Sequence, residues 1–149
     1  MFEKIKHFFD RYIDLTTTDG DSEEQLKIAS AALLMEMMHT EEVDADKKQH
    51  LILTLLENSF ALTKEQATDL MACAERQRQQ ATDYFEFTHL IYKAYSHDQK
   101  IQLIESMWKI ALVDNNLDID EEYLVDKIAR LLYIPHAEVL QVRNRTRGY

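Results

Sequence analysis

An all-α domain is what this sequence predicts, and three observations predict it. The 149 residues hold two glycines and one proline, too few turn-formers for a sheet-rich chain. Apolar residues recur at three- and four-residue steps along most of the length. Ser, Thr or Asp stands three residues before Glu or Gln at Ser22/Gln25, Thr63/Gln66, Asp83/Glu86 and Ser96/Gln99, each ahead of an apolar run, which is the spacing of a capping box. The expectation is a single compact domain of about seven to eight helices. Short connections should make successive helices antiparallel neighbours.

The first element is an amphipathic helix over residues 2–15. It has Phe2, Ile5, Phe8, Phe9, Tyr12 and Ile13 on one side and Lys4, Lys6, His7 and Arg11 on or beside the other. Such a helix can pack on the domain or lie on a membrane surface. Residues 16–21 read as a loop, which makes 1–19 an N-terminal helix and loop and 20–149 the main helical domain. Ser22 then caps a helix running to His39. Its stripe Leu26, Ala29, Leu33 and Met37 is widened by Ile28, Ala32, Met35 and Met38, so it should be largely buried. A third helix over 45–60 offers Leu51, Ile52, Leu55 and Leu56. Thr63 opens a fourth, whose apolar face (Ala67, Leu70, Met71, Ala74) gives way to a solvated polar end over 75–80. Asp83 caps a fifth helix carrying Phe85, Thr88, Ile91, Tyr92 and Tyr95. Ser96 caps a sixth.

Residues 107–135 organise the rest. The apolar positions Ile101, Ile104, Met107, Trp108, Ala111 and Leu112, widened by Ile110 and Val113, mark a helix near the centre of the fold, with Trp108 in the core. It runs into an acidic turn, where Asp and Asn compete for backbone hydrogen bonds. Asp118 and Glu121 have capping-box spacing, and the next helix presents Leu124, Val125, Ile128, Leu131 and Leu132. This helix is expected to stop at Ile134, because a residue before proline avoids the helical region. Pro135 opens a short last helix. A shift of 74 residues lays Val43, Asp44 and Asp46 on Leu117, Asp118 and Asp120, and after a slip of two, Phe60 and Leu62 fall on Leu132 and Ile134. The chain therefore contains a duplicated helix–acidic turn–helix unit, over 33–62 and 107–135. Two such units packed about a pseudo-twofold axis would bring their turns together.

The net charge is −10. Glu41, Glu42, Asp44 and Asp46 in the first turn, and Asp114, Asp118, Asp120, Glu121 and Glu122 in the second, account for most of it. Acid so concentrated makes nucleic acid an unsuitable partner. No run of about 18 apolar residues is present to span a membrane, and the N-terminus lacks the apolar core of a signal peptide. The single cysteine, Cys73, lies among Met71, Ala72 and Ala74 and reads as a reduced helix residue in a cytoplasmic protein. Arg143, Arg145 and Arg147 suit the negative end of a helix dipole. They could also dock an acidic partner.

Two constellations could carry chemistry. Asp114, Asn116, Asp118, Asp120 and Glu122 alternate along the second turn, with Glu121 beside them, a set of oxygen ligands suited to Ca²⁺ or Mg²⁺. An EF-hand would need Gly and Glu where Ile119 and Val125 stand, so this is not one. The same carboxylates also suit a helix start, at about 0.3–1 kcal/mol each. The second constellation is a pair of Glu-x-x-His motifs, Glu36/His39 and Glu86/His89, which with Glu3 and Glu57 would spell a di-iron carboxylate site of ferritin-like type. Against it, the first motif ends its helix, and the connection from His39 to Glu57 is too short for the long crossover of that fold. No phosphate-binding loop, Cys/Cys metal spacing or nucleophile elbow is present.

At Ala111-Leu112-Val113-Asp114-Asn115-Asn116-Leu117-Asp118-Ile119-Asp120-Glu121 the chain resembles the TerB-like tellurite-resistance family. That family's pattern is Ala-x-Ala-Asp-Gly, an apolar residue two positions on, then an acidic helix start. The opening MFEKIKHFF and the stretch Leu131-Leu132-Tyr133-Ile134-Pro135 are also similar to it, and the likeness extends over residues 20–142. It implies an all-α domain with an acidic face able to bind divalent cations, in stress or metal-resistance contexts, and it implies no enzymatic activity. Asp114, Asp118 and Glu121 match the motif. Asn115 replaces its Gly, and in the first copy Thr40 and Lys47 replace acidic positions, which leaves the second turn as the better candidate. The sequence thus points to a non-enzymatic domain with a protein partner and a Ca²⁺ or Mg²⁺ site. A di-iron enzyme and a peripheral membrane scaffold are the alternatives.

Overall fold

The computed structural model describes residues 19–39, 45–113 and 117–148. Among them it contains seven helices: α1 (Asp19–His39), α2 (Ala45–Phe60), α3 (Lys64–Gln80), α4 (Phe85–Ala94), α5 (His97–Ala111), α6 (Ile119–Leu131) and α7 (His136–Arg147). No described residue is in a strand. The expected N-terminal helix over 2–15, residues 40–44 of the first acidic turn and residues 114–116 of the second lie outside the described residues.

The expected duplication is larger than a helix pair. In the first half α1 packs most extensively on α3, and α2 touches both; in the second half α5, α6 and α7 repeat this arrangement. The central helices α1 and α5 meet each other. The middle of α1 is apolar around most of its circumference and α5 buries one broad face: Ile28, Ala31, Leu33, Leu34 and Met37 in α1, and Leu103, Ile104, Met107, Trp108 and Ile110 in α5, are all buried.

Backbone geometry supports the repeat independently. α2 starts at Ala45 and α6 at Ile119, the offset of 74 read from the sequence. Past the far ends, Ala61 (φ 52°) and Tyr133 (φ 59°) are the two non-glycine residues with positive φ among those described, and they fall at the slipped register. In both copies the next amide reaches back five residues: Leu62 N–H to the Glu57 carbonyl at 3.0 Å, and Ile134 N–H to the Ala129 carbonyl at 2.9 Å. Each copy therefore ends in a Schellman motif, which uses a left-handed residue to satisfy orphan carbonyls. This corrects the expected stop at Ile134: the helix ends at Leu131 through hydrogen bonding, before proline can act. Pro135 takes the N-cap of α7 rather than its first turn.

Other expectations are also revised. α1 begins at Asp19, so Ser22 is already inside the helix and is not its cap. Thr63/Gln66 and Ser96/Gln99 form reciprocal capping boxes. Asp83 instead accepts only from the Phe85 N–H, two residues on, at 2.9 Å, because α4 starts one turn position later than its spelling suggests. α4 also departs from the antiparallel-neighbour rule: it lies chiefly on α1 and α6. Phe87, Thr88 and Ile91 face the core, while Phe85 and Tyr92 are turned outward. The polar run 75–80 is not simply solvated, since Gln77 is buried and Arg78 is largely covered.

Candidate functional site

The starts of α2 and α6 meet. Lys48, in the first turn of α2, places its Nζ 3.2 Å from Oε2 of Glu121, in the first turn of α6, and both side chains are at most 1% exposed. An ion pair this deep costs desolvation of both partners and is held only by good geometry. It ties together two helix N-termini, where backbone N–H groups and the dipole create positive potential. The helix starts that follow the two acidic stretches of the sequence are therefore joined through this pair.

Around the pair, Asp118 is the N-cap of α6, in extended backbone (φ −77°, ψ 144°). Its Oδ2 accepts the Asp120 N–H at 3.2 Å. The expected reciprocal box with Glu121 does not form, because Glu121 is drawn inward to Lys48. Asp120 is exposed and Glu122 is partly so, with Arg143 of α7 at 3.9 Å from the Glu122 carboxylate. Asp46 stands exposed in the first turn of α2. Of the six residues singled out as candidate ligands, Asp118, Asp120 and Glu122 thus share one exposed helix start and Glu121 lies beneath it. Asp114 and Asn116 lie outside the described residues. Among the described residues no group of three His, Cys, Asp or Glu side chains is placed to hold a metal ion.

Lys48 was missed by sequence reasoning. Its one signal was position: it falls on the apolar face of α2, four residues before Ile52.

The Glu-x-x-His residues are otherwise engaged. Glu36 accepts from Arg78 Nη1 at 2.7 Å and from the Tyr84 hydroxyl at 3.1 Å. Arg78 also grips Glu75 with Nε and Nη2 at 3.0 and 2.8 Å, and His39 lies 3.4 Å from Glu75. This forked arginine clamps α1 to α3. Its hydrogen bonds hold the Glu75 carboxyl below the ordinary carboxylate range, and the Arg78 guanidinium is shifted further up by Glu75. Burial, then the Glu36 charge, pushes the Tyr84 hydroxyl up to about 12. Glu86 is exposed and His89 stacks on Phe85 with ring centroids 5.1 Å apart. Cys73 is buried, and burial pushes its thiol up to about 11, which keeps it protonated and unreactive.

A two-repeat helical domain whose paired helix starts are joined by a buried ion pair is the class of protein these observations define. The family model described as "Tellurite resistance protein TerB" matches residues 27–144, and the chain belongs to that family. No curated protein and no solved structure compared with the chain matches it. Among the described residues no helix is long and apolar enough to cross a membrane.

Proposed function

We propose that this chain is a non-enzymatic, cytoplasmic binding domain whose second acidic turn takes Ca²⁺ or Mg²⁺ and offers a cation-dependent surface to a protein partner, in a stress or metal-resistance context. The observation that carries this reading is the meeting of the α2 and α6 starts over the buried Lys48–Glu121 pair. The two stretches of sequence around these helix starts carry nine carboxylates. Such a density of like charge repels itself, and a hard divalent cation is the natural relief. Asp114, Asn116, Asp118, Asp120 and Glu122 would supply oxygen ligands. Glu121 would brace the turn from below through Lys48. Family membership supports the resistance context and carries no reaction with it.

Calorimetric titration with Ca²⁺ and with Mg²⁺ tests the reading, on the unaltered chain and on the Asp114→Asn/Asp118→Asn double variant. Saturable binding by the first, at least tenfold weaker in the second, is the expected result. No heat at millimolar cation would leave the carboxylates as helix caps and sink the cation site. Iron bound after aerobic purification would point instead to the di-iron chemistry that Glu36 and Glu86 spell.

A further inference from the structure

A cavity of about 190 Å³ lies where the two halves of the repeat meet. α1 and α2 of the first half and α5 of the second frame it, with Tyr95 just past the end of α4. Its inner wall is made by Leu34, Leu56 and Leu103, one from each of these three helices, all buried. Ser30 of α1 stands among them at 3% exposure, with its hydroxyl oxygen 2.7 Å from that of Tyr95. Nearer solvent are Ser106, half-buried, and Ser59 and Gln102, both exposed. None of the candidate cation ligands lines this cavity.

Its lining sets it apart. No lining residue is charged, although 30% of the chain is Asp, Glu, Lys or Arg. Three other cavities each carry both signs: Asp46 with Lys64, Glu36 with Arg78, and Asp126 with Arg130. An ion entering the uncharged cavity would lose water and meet no countercharge. The hydroxyl pair offers something else. A helical hydroxyl commonly donates to the carbonyl four residues back, as Thr54, Thr68, Thr88 and Thr146 do. Ser30 turns across to Tyr95 instead. Burial pushes the Tyr95 hydroxyl up from its ordinary value, so it keeps its proton at neutral pH. Two hydroxyls hold two hydrogens, and one bond between them uses one. Whichever donates, the pair keeps a hydrogen and lone pairs for an occupant.

We propose that this cavity binds a small uncharged molecule with an apolar body and one hydroxyl or carbonyl oxygen. The oxygen meets the Ser30–Tyr95 pair, and the body lies on Leu34, Leu56 and Leu103. Apolar walls with a few placed polar groups are the usual form of such sites. A cavity of about 150 Å³ takes benzene, so this one suits about seven or eight non-hydrogen atoms. Because its walls come from both halves, occupancy joins α1 and α2 to α5 and stabilises the folded chain.

NMR titration of the full chain with benzyl alcohol tests this, with toluene, benzoate and benzylammonium as probes of similar size. The alcohol should shift the backbone amides of Ser30, Leu34, Leu103 and Ser106 saturably, with a Kd of about 1 mM or tighter. The two ions should leave these amides unmoved. Ser30→Ala/Tyr95→Phe should weaken the alcohol at least fivefold, by stranding its hydroxyl, and should not weaken toluene. Ser106→Leu, whose added bulk enters the cavity, should abolish binding of both. The amide spectrum of each variant shows whether it is folded, and Ser59→Leu at the exposed edge replaces Ser106→Leu if that variant is not. No saturation by about 20 mM alcohol, some twentyfold above the expected Kd, would leave the cavity to water and overturn the proposal. Shifts of the same amides by either ion would overturn it too, as would alcohol binding indifferent to the variants or an equal loss of alcohol and toluene in the hydroxyl-free double variant.

Discussion

The two copies of the helix–turn–helix unit share a backbone plan and differ in what they place on it. At their starts the second copy presents acid, with Asp118 as cap and Asp120 and Glu122 outward. The first contributes a lysine that buries itself on Glu121 of the second. At their ends both use a left-handed residue, Ala61 in one and Tyr133 in the other. Hydrogen-bond geometry fixed the shared features, since any sequence that ends a helix this way must satisfy the same carbonyls. Side chains were free to diverge, and the divergence makes one turn the cation candidate and the other its counterweight.

The sharpest way to break this comparison is to remove the charge that joins the copies. Lys48→Met leaves the Glu121 carboxylate buried without its ammonium and should destabilise the protein by about 3–5 kcal/mol, whereas Lys48→Met with Glu121→Leu should recover most of that loss. Urea denaturation of the three proteins measures both. A double variant as unstable as the single one would show that the pair is not the source of the cost.

The helix ends offer a smaller test. Ala61→Gly relieves positive φ where nothing else depends on the methyl group, and it should stabilise by about 0.5–1 kcal/mol. Tyr133→Gly relieves the same strain but loses the ring contact with Tyr92, itself worth about 0.5–1.5 kcal/mol. Its net effect should therefore be nearer zero. Thermal melts of both variants would show whether the two ends are energetically alike or only geometrically so.

The smallest effect concerns a feature of the first copy, the Arg78 clamp on α1. Glu75 has a folded-state pKa below its unfolded value, so its contribution to stability is full above the unfolded pKa of about 4.3. It is lost as pH falls through the lower folded value. Glu75→Gln should lower stability at pH 7 and flatten this part of the acid limb between about pH 5 and pH 3. Denaturant midpoints collected across that range are the readout, and an unchanged acid limb would remove Glu75 from the account.

Much of the fold was legible because it rests on local rules. Periodicity marked the buried faces of α1 and α5, Thr63 and Ser96 announced their helices by reciprocal boxes, and the offset of 74 marked the repeat. Errors arose where two local rules competed. Ser22 and Asp83 spell caps, yet their helices start elsewhere; Pro135 forbids a helix before it, yet a Schellman motif acts first. The candidate site was legible as composition and only partly as geometry. Asp118, Asp120 and Glu122 were placed on one helix start, while Glu121 was read as their equal although its partner pulls it beneath them.

By itself the sequence determined which segments are helical, that two of the units are copies, and where the acid is concentrated, because each depends on residues within a few turns of one another. Only the tertiary structure decided that Lys48 belongs to the second turn, that Glu36 and His39 serve the Arg78–Glu75 clamp on α3, and that α4 leaves its neighbours to lie beside α6. Those pairings join residues 36 or more positions apart. They follow from which faces are left to pack once the helices exist, and no local rule records that choice.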